Sequence, residues 1–353
     1  MSPDAVSAVV LAGTHHWSGS SFERLAPRPL VPVALVPLIS YPLRWLRRGG
    51  ITRATICANG TTPLIQAAVG DGAGLDMELG YYKDATPRGA AGCVRDAGLL
   101  TGSHTLVVTD GTAVPTMDLA AVLEAHRASE AAVTVVVHRD RSASGRPTPA
   151  GIYVFDRRAL PHIGEAGFQD IKENLIPKLH RAGERVVAYE TEGLCPHVFN
   201  AQTYLAVNQW VLQRLSRDDA ASPLVHPSAC VEAGARLVGP VQLGPRARVQ
   251  AGATIVGPSS LGADCLVGPG ALVARSVLWS GCMVGEGSVV HGCVVGSDAL
   301  VPPATALFNV VRSRHQAARG PERRQEPRPA DLVPPDPARR DLHGSPTTTC
   351  TLH

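Results

Sequence analysis

A repeat of aliphatic residues at every sixth position restricts the fold of the last third of the chain more than any other feature. Nine successive positions keep this spacing without a slip: Val225, Val231, Leu237, Leu243, Val249, Ile255, Leu261, Val267 and Val273. After one-residue changes of phase, the spacing returns at Leu278, Val284 and Val290 and then at Val295 and Val301. Because Gly, Pro and Ala are abundant between these residues, the pattern predicts a parallel β-helix in which each short face sends one aliphatic side chain inward.

The aliphatic stack alone does not hold such a coil together. Each buried aliphatic side chain contributes about 1.5 to 3 kcal/mol, whereas fixing the backbone of each residue costs about 1 to 2 kcal/mol. We therefore expect the coil to depend also on its ladder of backbone hydrogen bonds. We also expect something to cover its ends, such as the first domain or a second subunit.

Short strand patterns alternate with helical ones up to about residue 205. The patterns predict strands over residues 6–11, 54–58, 105–109 and 132–137 and helices over residues 40–48 and 118–128. This alternation is typical of an α/β fold with a mostly parallel sheet covered on both faces. Ligands of such sheets bind beyond the carboxyl ends of the strands, and Gly13 and Asp110 both lie at such ends.

Composition excludes several classes of partner. The net charge of +3 comes from residues 312–353, which hold eight arginines and five acids, so the neutral remainder argues against a nucleic-acid surface. The eight cysteines form no CxxC pair and no zinc spacing, which predicts buried reduced thiols. We find no leader pattern and no apolar stretch long enough for a bilayer, and therefore expect a cytoplasmic protein without a membrane partner.

The stretch that follows the first strand identifies a family. AVVLAG at residues 8–13, PRPLVPVA at residues 27–34 and the PLI after it resemble the sugar-1-phosphate nucleotidyltransferase family, most closely its mannose-1-phosphate guanylyltransferase branch. The family pattern is approximately LAGGxGTRLxPLTxxxPKPLxPVxxxPLI, and the chain matches it without insertion or deletion. The resemblance implies a Rossmann-like nucleotidyltransferase domain, nucleotide binding at Ala12 and Gly13, and a C-terminal left-handed β-helix, an exception to the usual crossover hand.

The phosphate loop departs from this pattern. The family's second glycine falls on Thr14, its later glycine on His16, its arginine on Ser18 and its PKP lysine on Arg28. Glycines let backbone N–H groups approach a triphosphate, and cations offset the charge that develops in phosphoryl transfer. A lost arginine can cost about 10³ to 10⁵ in rate. Arg28 keeps a charge with a different shape, and it is the one catalytic residue that the resemblance leaves.

Residues 86–97, TPRGAAGCVRDA, resemble the family segment LGTAGAL, where small residues at the start of a helix let a nucleobase lie against the backbone. Gly89, Ala91 and Gly92 are kept and are predicted to bind the nucleotide, whereas Arg88 and Ala90 depart from the pattern. A simple glycine-rich start of a helix is the alternative interpretation.

Residues 104–119 resemble LVVxGDxxxxxDL, in which the aspartate holds a Mg²⁺ that bridges phosphates. Here the order is Asp110-Gly111, so Asp110 is the predicted metal ligand, with a turn-forming aspartate as the alternative. The second family aspartate aligns with His197. Magnesium prefers oxygen ligands, so a packed or hydrogen-bonded histidine is the favoured interpretation there.

Residues 149–155 and 168–179 resemble the strand and helix that line the family's sugar pocket, and Gly151 is the predicted sugar-binding residue. The glutamate-lysine-proline motif that should precede them is absent, and Arg146 is a poor substitute for its lysine. In the hexad region, His226 and His291 suggest a catalytic histidine for acyl transfer, but histidines at solvent-exposed corners are the favoured interpretation.

The sequence therefore predicts an α/β domain over residues 1–215, a β-helix over residues 222–310 and a disordered Arg- and Pro-rich tail over residues 312–353. The first functional hypothesis is a weak or inactive member that binds a nucleotide or nucleotide sugar and serves as a regulatory or scaffold subunit. It would form a homo-oligomer, or a hetero-oligomer with an active paralogue. The second is an active Mg²⁺-dependent nucleotidyltransferase with a rearranged loop, and the third is an acyltransferase.

Overall fold

The computed structural model describes residues 6–13, 20–83, 86–139, 147–218 and 223–314, without the side chains of residues 139, 217 and 218. The strands of the first part are β1 (Val6–Leu11), β2 (Pro32–Val33), β3 (Val36–Pro37), β4 (Arg53–Cys57), β5 (Glu78–Tyr82), β6 (Thr105–Asp110), β7 (Val133–Arg139), β8 (Pro147–Asp156) and β9 (Val186–Thr191). The α-helices are α1 (Ser40–Arg48), α2 (Thr62–Val69), α3 (Gly89–Thr101), α4 (Leu119–Ser129), α5 (Ile176–Arg181) and α6 (Ala201–Asp218).

Local chemistry accounts for these elements where the sequence predicted them. The six predicted elements of this part are present with ends displaced by at most two residues. Helix α1 ends where Gly50 takes a φ of +85°, a conformation that glycine adopts without cost. Helix α4 begins where the Asp118 carboxylate accepts a hydrogen bond from Ala120 N at 3.0 Å, as an N-cap residue does.

The main sheet has the strand order β5-β4-β1-β6-β8-β7-β9. Strands β5, β4, β1 and β6 are parallel, whereas β8 runs antiparallel to both β6 and β7. Because of this reversal, the residues early in β8 lie at the carboxyl end of β6, where Thr109 pairs with Ile152. The α/β fold with a mostly parallel sheet is confirmed, and β8 contributes to the edge where ligands bind.

The hexad region forms a left-handed parallel β-helix, as predicted. Its strands are β10 (Leu224–Val225), β11 (Cys230–Val231), β12 (Arg236–Val238), β13 (Val241–Leu243), β14 (Arg248–Val249), β15 (Thr254–Val256), β16 (Ser259–Leu261), β17 (Leu266–Val267), β18 (Leu272–Ala274), β19 (Val277–Leu278), β20 (Met283–Val284), β21 (Val289–His291), β22 (Val294–Val295), β23 (Leu300–Val301), β24 (Ala306–Phe308) and β25 (Val311–Arg312). They form three parallel sheets, β10-β13-β16-β19-β22-β25, β11-β14-β17-β20-β23 and β12-β15-β18-β21-β24.

The phase changes of the repeat have a structural cause. Leu243 pairs with Leu261, and Leu261 pairs with Leu278, which lies one residue closer along the chain. Each phase change is therefore a shortening of the coil by one residue. The stacking of inward aliphatic side chains continues through it without interruption, since Leu243, Leu261 and Leu278 are all buried.

The α/β part covers one face of the coil. Asn208 on α6 accepts a hydrogen bond from Ser260 Oγ of the coil at 3.4 Å, and Trp279 of the coil donates through Nε1 to the Tyr204 hydroxyl at 3.0 Å. One hydrophobic cluster runs from Phe22 through α6 into the coil, and residues Met1–Ala317 form one compact unit. The domain bounds at residues 215 and 222 stay predictions. Of the predicted tail, Arg312 belongs to β25, and everything after residue 314 lies outside the described residues.

Candidate functional site

The carboxyl ends of β1 and β6 lie side by side at one edge of the main sheet. Leu11 pairs with Asp110, and Gly111 N donates to Leu11 O at 2.9 Å. Ala12 is buried and its N–H donates to Cys57 O at 2.8 Å. A Cβ added at Gly13 would lie 3.1 Å from Nδ2 of Asn59. The predicted nucleotide-binding pair Ala12 and Gly13 is therefore at the ligand-binding edge. The altered loop positions Thr14, His16 and Ser18 lie outside the described residues.

Asp110 ends β6 and faces this edge. Its Oδ1 accepts hydrogen bonds from Thr112 N and Thr112 Oγ1, both at 2.8 Å. This is the turn-forming arrangement that the sequence left open as an alternative. Within the described part of the chain, Oδ2 has no hydrogen-bond partner and the carboxylate makes no ion pair. One carboxylate oxygen of Asp110 is therefore available to a ligand.

His197 reaches the same place from a distant part of the chain. It forms an isolated antiparallel bridge with Ala113, and its Nε2–H donates to Ala150 O at 3.0 Å. Its ring stacks on that of Phe199, with centroids 5.5 Å apart and planes inclined by 7°. Nδ1 is buried and has no partner among the described residues. The interpretation of His197 as a packed, hydrogen-bonded side chain agrees with this geometry.

Gly151 joins Asp110 to His197. Its φ is +68°, and an added Cβ would lie 2.7 Å from Cε1 of His197 and 3.6 Å from Cβ of Asp110. Only a residue without a side chain fits between the two. The two positions that the sequence aligned with the family's metal-binding aspartates are thus brought together on opposite sides of one glycine. The sugar-binding role of Gly151 stays a prediction, because its contacts here are with protein.

The surroundings of Asp110 include two groups that sequence reasoning missed. Burial raises the pKa of the Cys195 thiol to about 12, and the negative charge of Asp110 adds to this effect. Burial also raises the pKa of Tyr153 to about 12, with smaller contributions from the charges of Asp170 and Asp110. Both groups are therefore neutral at pH 7. Tyr153 lies in the strand-like run 149–155, a position that also fits an ordinary core residue, and no local pattern marks Cys195.

The start of α3 is the predicted nucleobase pocket, and it is in close contact with residues 164–170. Ala91 N donates to Gln169 O at 2.9 Å, and Gln169 N donates to Arg88 O at 2.7 Å. A Cβ at Gly89, where φ is +72°, would lie 2.5 Å from Gln169 O, and one at Gly92 would lie 2.7 Å from Cβ of Arg88. The small residues of this segment therefore permit close backbone contact. Their role in binding a nucleotide stays a prediction.

Arg88, which departs from the family pattern, is a buried structural residue. Its guanidinium donates to Asp96 Oδ2 at 2.9 Å, to Gly167 O at 2.8 Å and to Gly164 O at 3.0 Å. The Asp96 hydrogen bond raises the pKa of Arg88. Burial disfavours the charge of Asp96, but its hydrogen bonds from Arg88 and Tyr82 outweigh burial and lower its pKa. Arg88 therefore fixes residues 164–167 against the start of α3.

The remaining predicted residues lie elsewhere. Arg28 begins the short 3₁₀ turn Arg28–Leu30, where its carbonyl accepts from Val31 N at 3.2 Å, and its catalytic role stays a prediction. His226 is exposed, and its Nδ1 lies 2.9 Å from Ser228 Oγ. His291 is exposed beside Phe308 on the outer surface of the coil. Arg146 lies outside the described residues.

Over the described ranges, no three or more His, Cys, Asp and Glu side chains come together in a way that could hold a metal ion. In the same part of the chain, no helix has both the length and the apolar composition needed to cross a bilayer. The fold and site together define an α/β protein with Asp110, Gly151 and His197 grouped at the carboxyl edge of its main sheet and with a C-terminal β-helix.

Comparisons with known proteins agree with this class. The family model described as nucleotidyl transferase matches residues 22–145. The mannose-1-phosphate guanylyltransferase of Mycobacterium tuberculosis is 24% identical over 274 residues, which are 69% of this chain and 76% of that protein. The glucose-1-phosphate thymidylyltransferase of Streptomyces griseus is 35% identical over 89 residues, a quarter of each chain. These comparisons support the resemblance of the chain to the sugar-1-phosphate nucleotidyltransferase family.

A solved structure supports the fold. The crystal structure of a Bacillus anthracis protein described as a glucose-1-phosphate thymidylyltransferase, in complex with sucrose, superposes with a TM-score of 0.51. It is 16% identical and covers 61% of this chain and 96% of its own. At this identity the likeness concerns the fold alone.

Proposed function

We propose that this protein binds a nucleotide or nucleotide sugar at the carboxyl edge of its main sheet and has weak or no transferase activity. It would serve as a regulatory or scaffold subunit in the cytoplasm, in a homo-oligomer or beside an active paralogue. The observation that carries this proposal is the pairing of Asp110 with His197 across Gly151. Both positions that align with the family's metal-binding aspartates lie together, but His197 stands where the second carboxylate would be.

The donors around Asp110 do not fit the Mg²⁺ that the family implies. Magnesium requires near-octahedral oxygen ligands and is usually held by carboxylates together with substrate phosphates. Here Oδ1 of Asp110 is bonded twice to Thr112, and only Oδ2 has no partner among the described residues. His197 offers no ligand, because its Nε2 is bonded to Ala150 O and its Nδ1 is buried. We therefore expect Mg²⁺ to add little to ligand binding.

The small number of cationic side chains near the predicted phosphate loop supports the same proposal. No arginine or lysine occurs between residues 6 and 22, and the chain has only three lysines, at Lys83, Lys172 and Lys178. Lys178 donates to Oε1 of Gln169 at 3.2 Å. Transfer of a nucleotidyl group depends on positive charge placed where negative charge develops. A site with few such groups is better suited to binding than to turnover.

The names of the relatives suggest the ligands to test. One relative is named for guanylyl transfer to mannose 1-phosphate and another for thymidylyl transfer to glucose 1-phosphate, so GDP-mannose and dTDP-glucose are suitable probes. The neutral charge of residues 1–311 argues against nucleic acid as the ligand.

One observation favours the second hypothesis, an active enzyme. Oδ2 of Asp110 has no partner among the described residues and could still contact a metal carried by the substrate phosphates. Turnover would then depend on Asp110 and on Arg28. Among the described residues, no contact of His291 supports a role in acyl transfer. Its exposed position beside Phe308 agrees with the interpretation as a surface histidine.

The test measures binding and turnover separately. Calorimetry with GDP-mannose and dTDP-glucose is expected to show binding that is the same in Mg²⁺ and in EDTA. Pyrophosphate release from each NTP with a panel of sugar 1-phosphates is expected to stay at the blank level, with an active guanylyltransferase as positive control. Brisk pyrophosphate release by the wild type, abolished in Asp110→Ala, would establish the active enzyme instead.

A second variant tests the reason given for weak metal binding. His197→Asp returns a carboxylate beside Asp110, and it is expected to make nucleotide-sugar affinity respond to Mg²⁺. Thermal unfolding of the variant shows whether it remains folded. A wild-type protein whose affinity already rises with Mg²⁺ would contradict the metal argument without any variant.

A further inference from the structure

Phe168 is an exposed aromatic side chain on a segment that the protein holds firmly in place. It is 57% exposed, and it makes no ring contact with another described aromatic side chain. The sequence offered no role for it beyond its place in a stretch that resembles the family's sugar pocket. Its exposure means that packing in the core does not account for it.

The residues on both sides of Phe168 are bonded to the start of α3. Arg88 donates to Gly167 O at 2.8 Å and to Gly164 O at 3.0 Å. On the other side, Gln169 N donates to Arg88 O at 2.7 Å, and Gln169 O accepts from Ala91 N at 2.9 Å. The backbone of Phe168 is thus fixed before any ligand arrives. A ligand that contacts the ring does not have to order this backbone, which favours affinity.

The position of this segment indicates what the ring would contact. These hydrogen bonds hold Gln169 in backbone contact with the start of α3, so Phe168 adjoins the segment predicted to bind a nucleobase. A nucleobase presents a flat π-face to any exposed aromatic ring, and stacking of this kind tolerates different bases. The backbone N–H of Ala91 is already bonded to Gln169 O, whereas the ring of Phe168 is exposed on the adjoining residue.

We propose that Phe168 is a platform on which the nucleobase of the bound nucleotide stacks, with Arg88 as the residue that positions it. This inference rests on the proposed nucleotide binding and names one residue that carries it. It gives a reason for Arg88, whose buried guanidinium bridges the start of α3 and the segment before Phe168.

The test compares Phe168→Ala with Phe308→Ala. Phe308 has the same exposed fraction, 57%, and lies on β24 of the coil, so it is a matched control for loss of an exposed ring. Affinities for GDP-mannose, dTDP-glucose, GDP and mannose 1-phosphate are measured by calorimetry. Phe168→Ala is expected to weaken binding of the three nucleotides by about 10- to 100-fold, as for loss of a stacked base. Phe308→Ala is expected to change none of them.

A third variant reports the contact directly. In Phe168→Trp, nucleotide affinity is expected to be retained and the indole fluorescence is expected to be quenched on addition of GDP. Wild-type binding that Phe168→Ala leaves unchanged would overturn this inference alone, as would a loss seen only for mannose 1-phosphate, which would assign the ring to the sugar. No nucleotide binding by the wild type would overturn both this inference and the proposed function.

Discussion

Gly151 shows how a single residue determines the geometry of the candidate site. Its strand, β8, runs antiparallel to β6, and Gly151 lies between Asp110 and His197. A side chain at this position would collide with the His197 ring, and the positive φ would strain the backbone of any residue other than glycine. The sequence predicts it as a sugar-binding residue from its place in the run 149–155, and does not predict its contact with His197. Its importance comes from His197, which is distant in the chain and reaches it through tertiary structure.

Substitution of Gly151 by alanine is expected to destabilise the fold by about 1 to 3 kcal/mol and to weaken nucleotide binding, because the new methyl group meets the His197 ring. Gly183→Ala is the matched control. Its φ is +74° and its added Cβ would meet nothing within 4 Å, so it reports the backbone strain alone. Thermal unfolding and calorimetry measure both effects. Equal losses of stability in the two variants would contradict the steric argument.

His126 provides a residue-scale prediction on pH. It is buried, its Nδ1 lies 2.8 Å from Thr134 Oγ1, and burial lowers its pKa from 6.5 to about 4. The nearby charges of Asp156, which opposes this shift, and of Arg158, Arg127 and His104, which add to it, are smaller effects. In the unfolded chain His126 therefore binds a proton as the pH falls below 6.5, whereas in the folded chain it does so only near pH 4.

The contribution of His126 to stability is consequently present above pH 6.5 and is lost as the pH falls toward 4. The slope it adds cannot exceed about 1.4 kcal/mol per pH unit, the value for one proton. Chemical denaturation between pH 7 and pH 4 should show a shallower loss of stability in His126→Gln than in the wild type. The control is His180→Gln, an exposed position on α5, which is expected to keep the wild-type slope.

At the scale of elements, the coil behaves as the hexad pattern predicts except at its beginning. The inward residues of its first turn have no coil below them, so Val231 is 39% exposed, whereas Val249, its partner in the next turn, is fully buried. Two valines at the same position of the repeat are thus expected to contribute different amounts to the free energy of unfolding. The difference is set by the neighbours along the axis of the coil.

Val249→Ala is expected to cost about 2 kcal/mol of unfolding free energy, the loss of two buried methyl groups with incomplete collapse of the space. Val231→Ala, its matched control, is expected to cost less than half of that. Denaturant unfolding of the two variants gives the comparison. A loss at Val231 as large as that at Val249 would mean that the first turn is covered in solution.

The elements also show what a sequence can and cannot predict. The sixfold spacing and the strand-helix alternation are local patterns, and the elements they predict appear with small shifts in their ends. Arg88 looked like a departure from a binding motif. Two of its hydrogen-bond acceptors, Gly164 O and Gly167 O, lie more than 70 residues away in the chain, and the third belongs to Asp96, two turns along α3. Contacts of that kind depend on packing between elements, which no local pattern contains.

At the scale of the whole molecule, the α/β part and the coil share one core. The cluster that contains Phe22 and Tyr204 continues into Leu261 and Trp279 of the coil. Neither part therefore buries its apolar surface by itself. The α/β part covers one face of the coil, whereas the first turn stays exposed at Val225 and Val231. The expectation that the first domain covers an end of the coil is therefore not met at this end, and coverage by a second subunit stays a prediction.

Tyr204 tests this shared core. Its buried hydroxyl donates to Pro32 O in the α/β part and accepts from Nε1 of Trp279 in the coil, so it connects the two parts by hydrogen bonds. Tyr204→Phe removes both hydrogen bonds and leaves Nε1 of the buried Trp279 without this partner, at a cost of about 1 to 3 kcal/mol. In Tyr189→Phe, the control, the hydroxyl removed has no partner among the described residues.

Calorimetric unfolding of the full chain is expected to show one transition in the wild type and in Tyr189→Phe. In Tyr204→Phe the transition should fall in temperature and broaden toward two, because the coil and the α/β part lose a shared contact. Two well-separated transitions already in the wild type would show that the parts unfold independently and that their common cluster does not couple them.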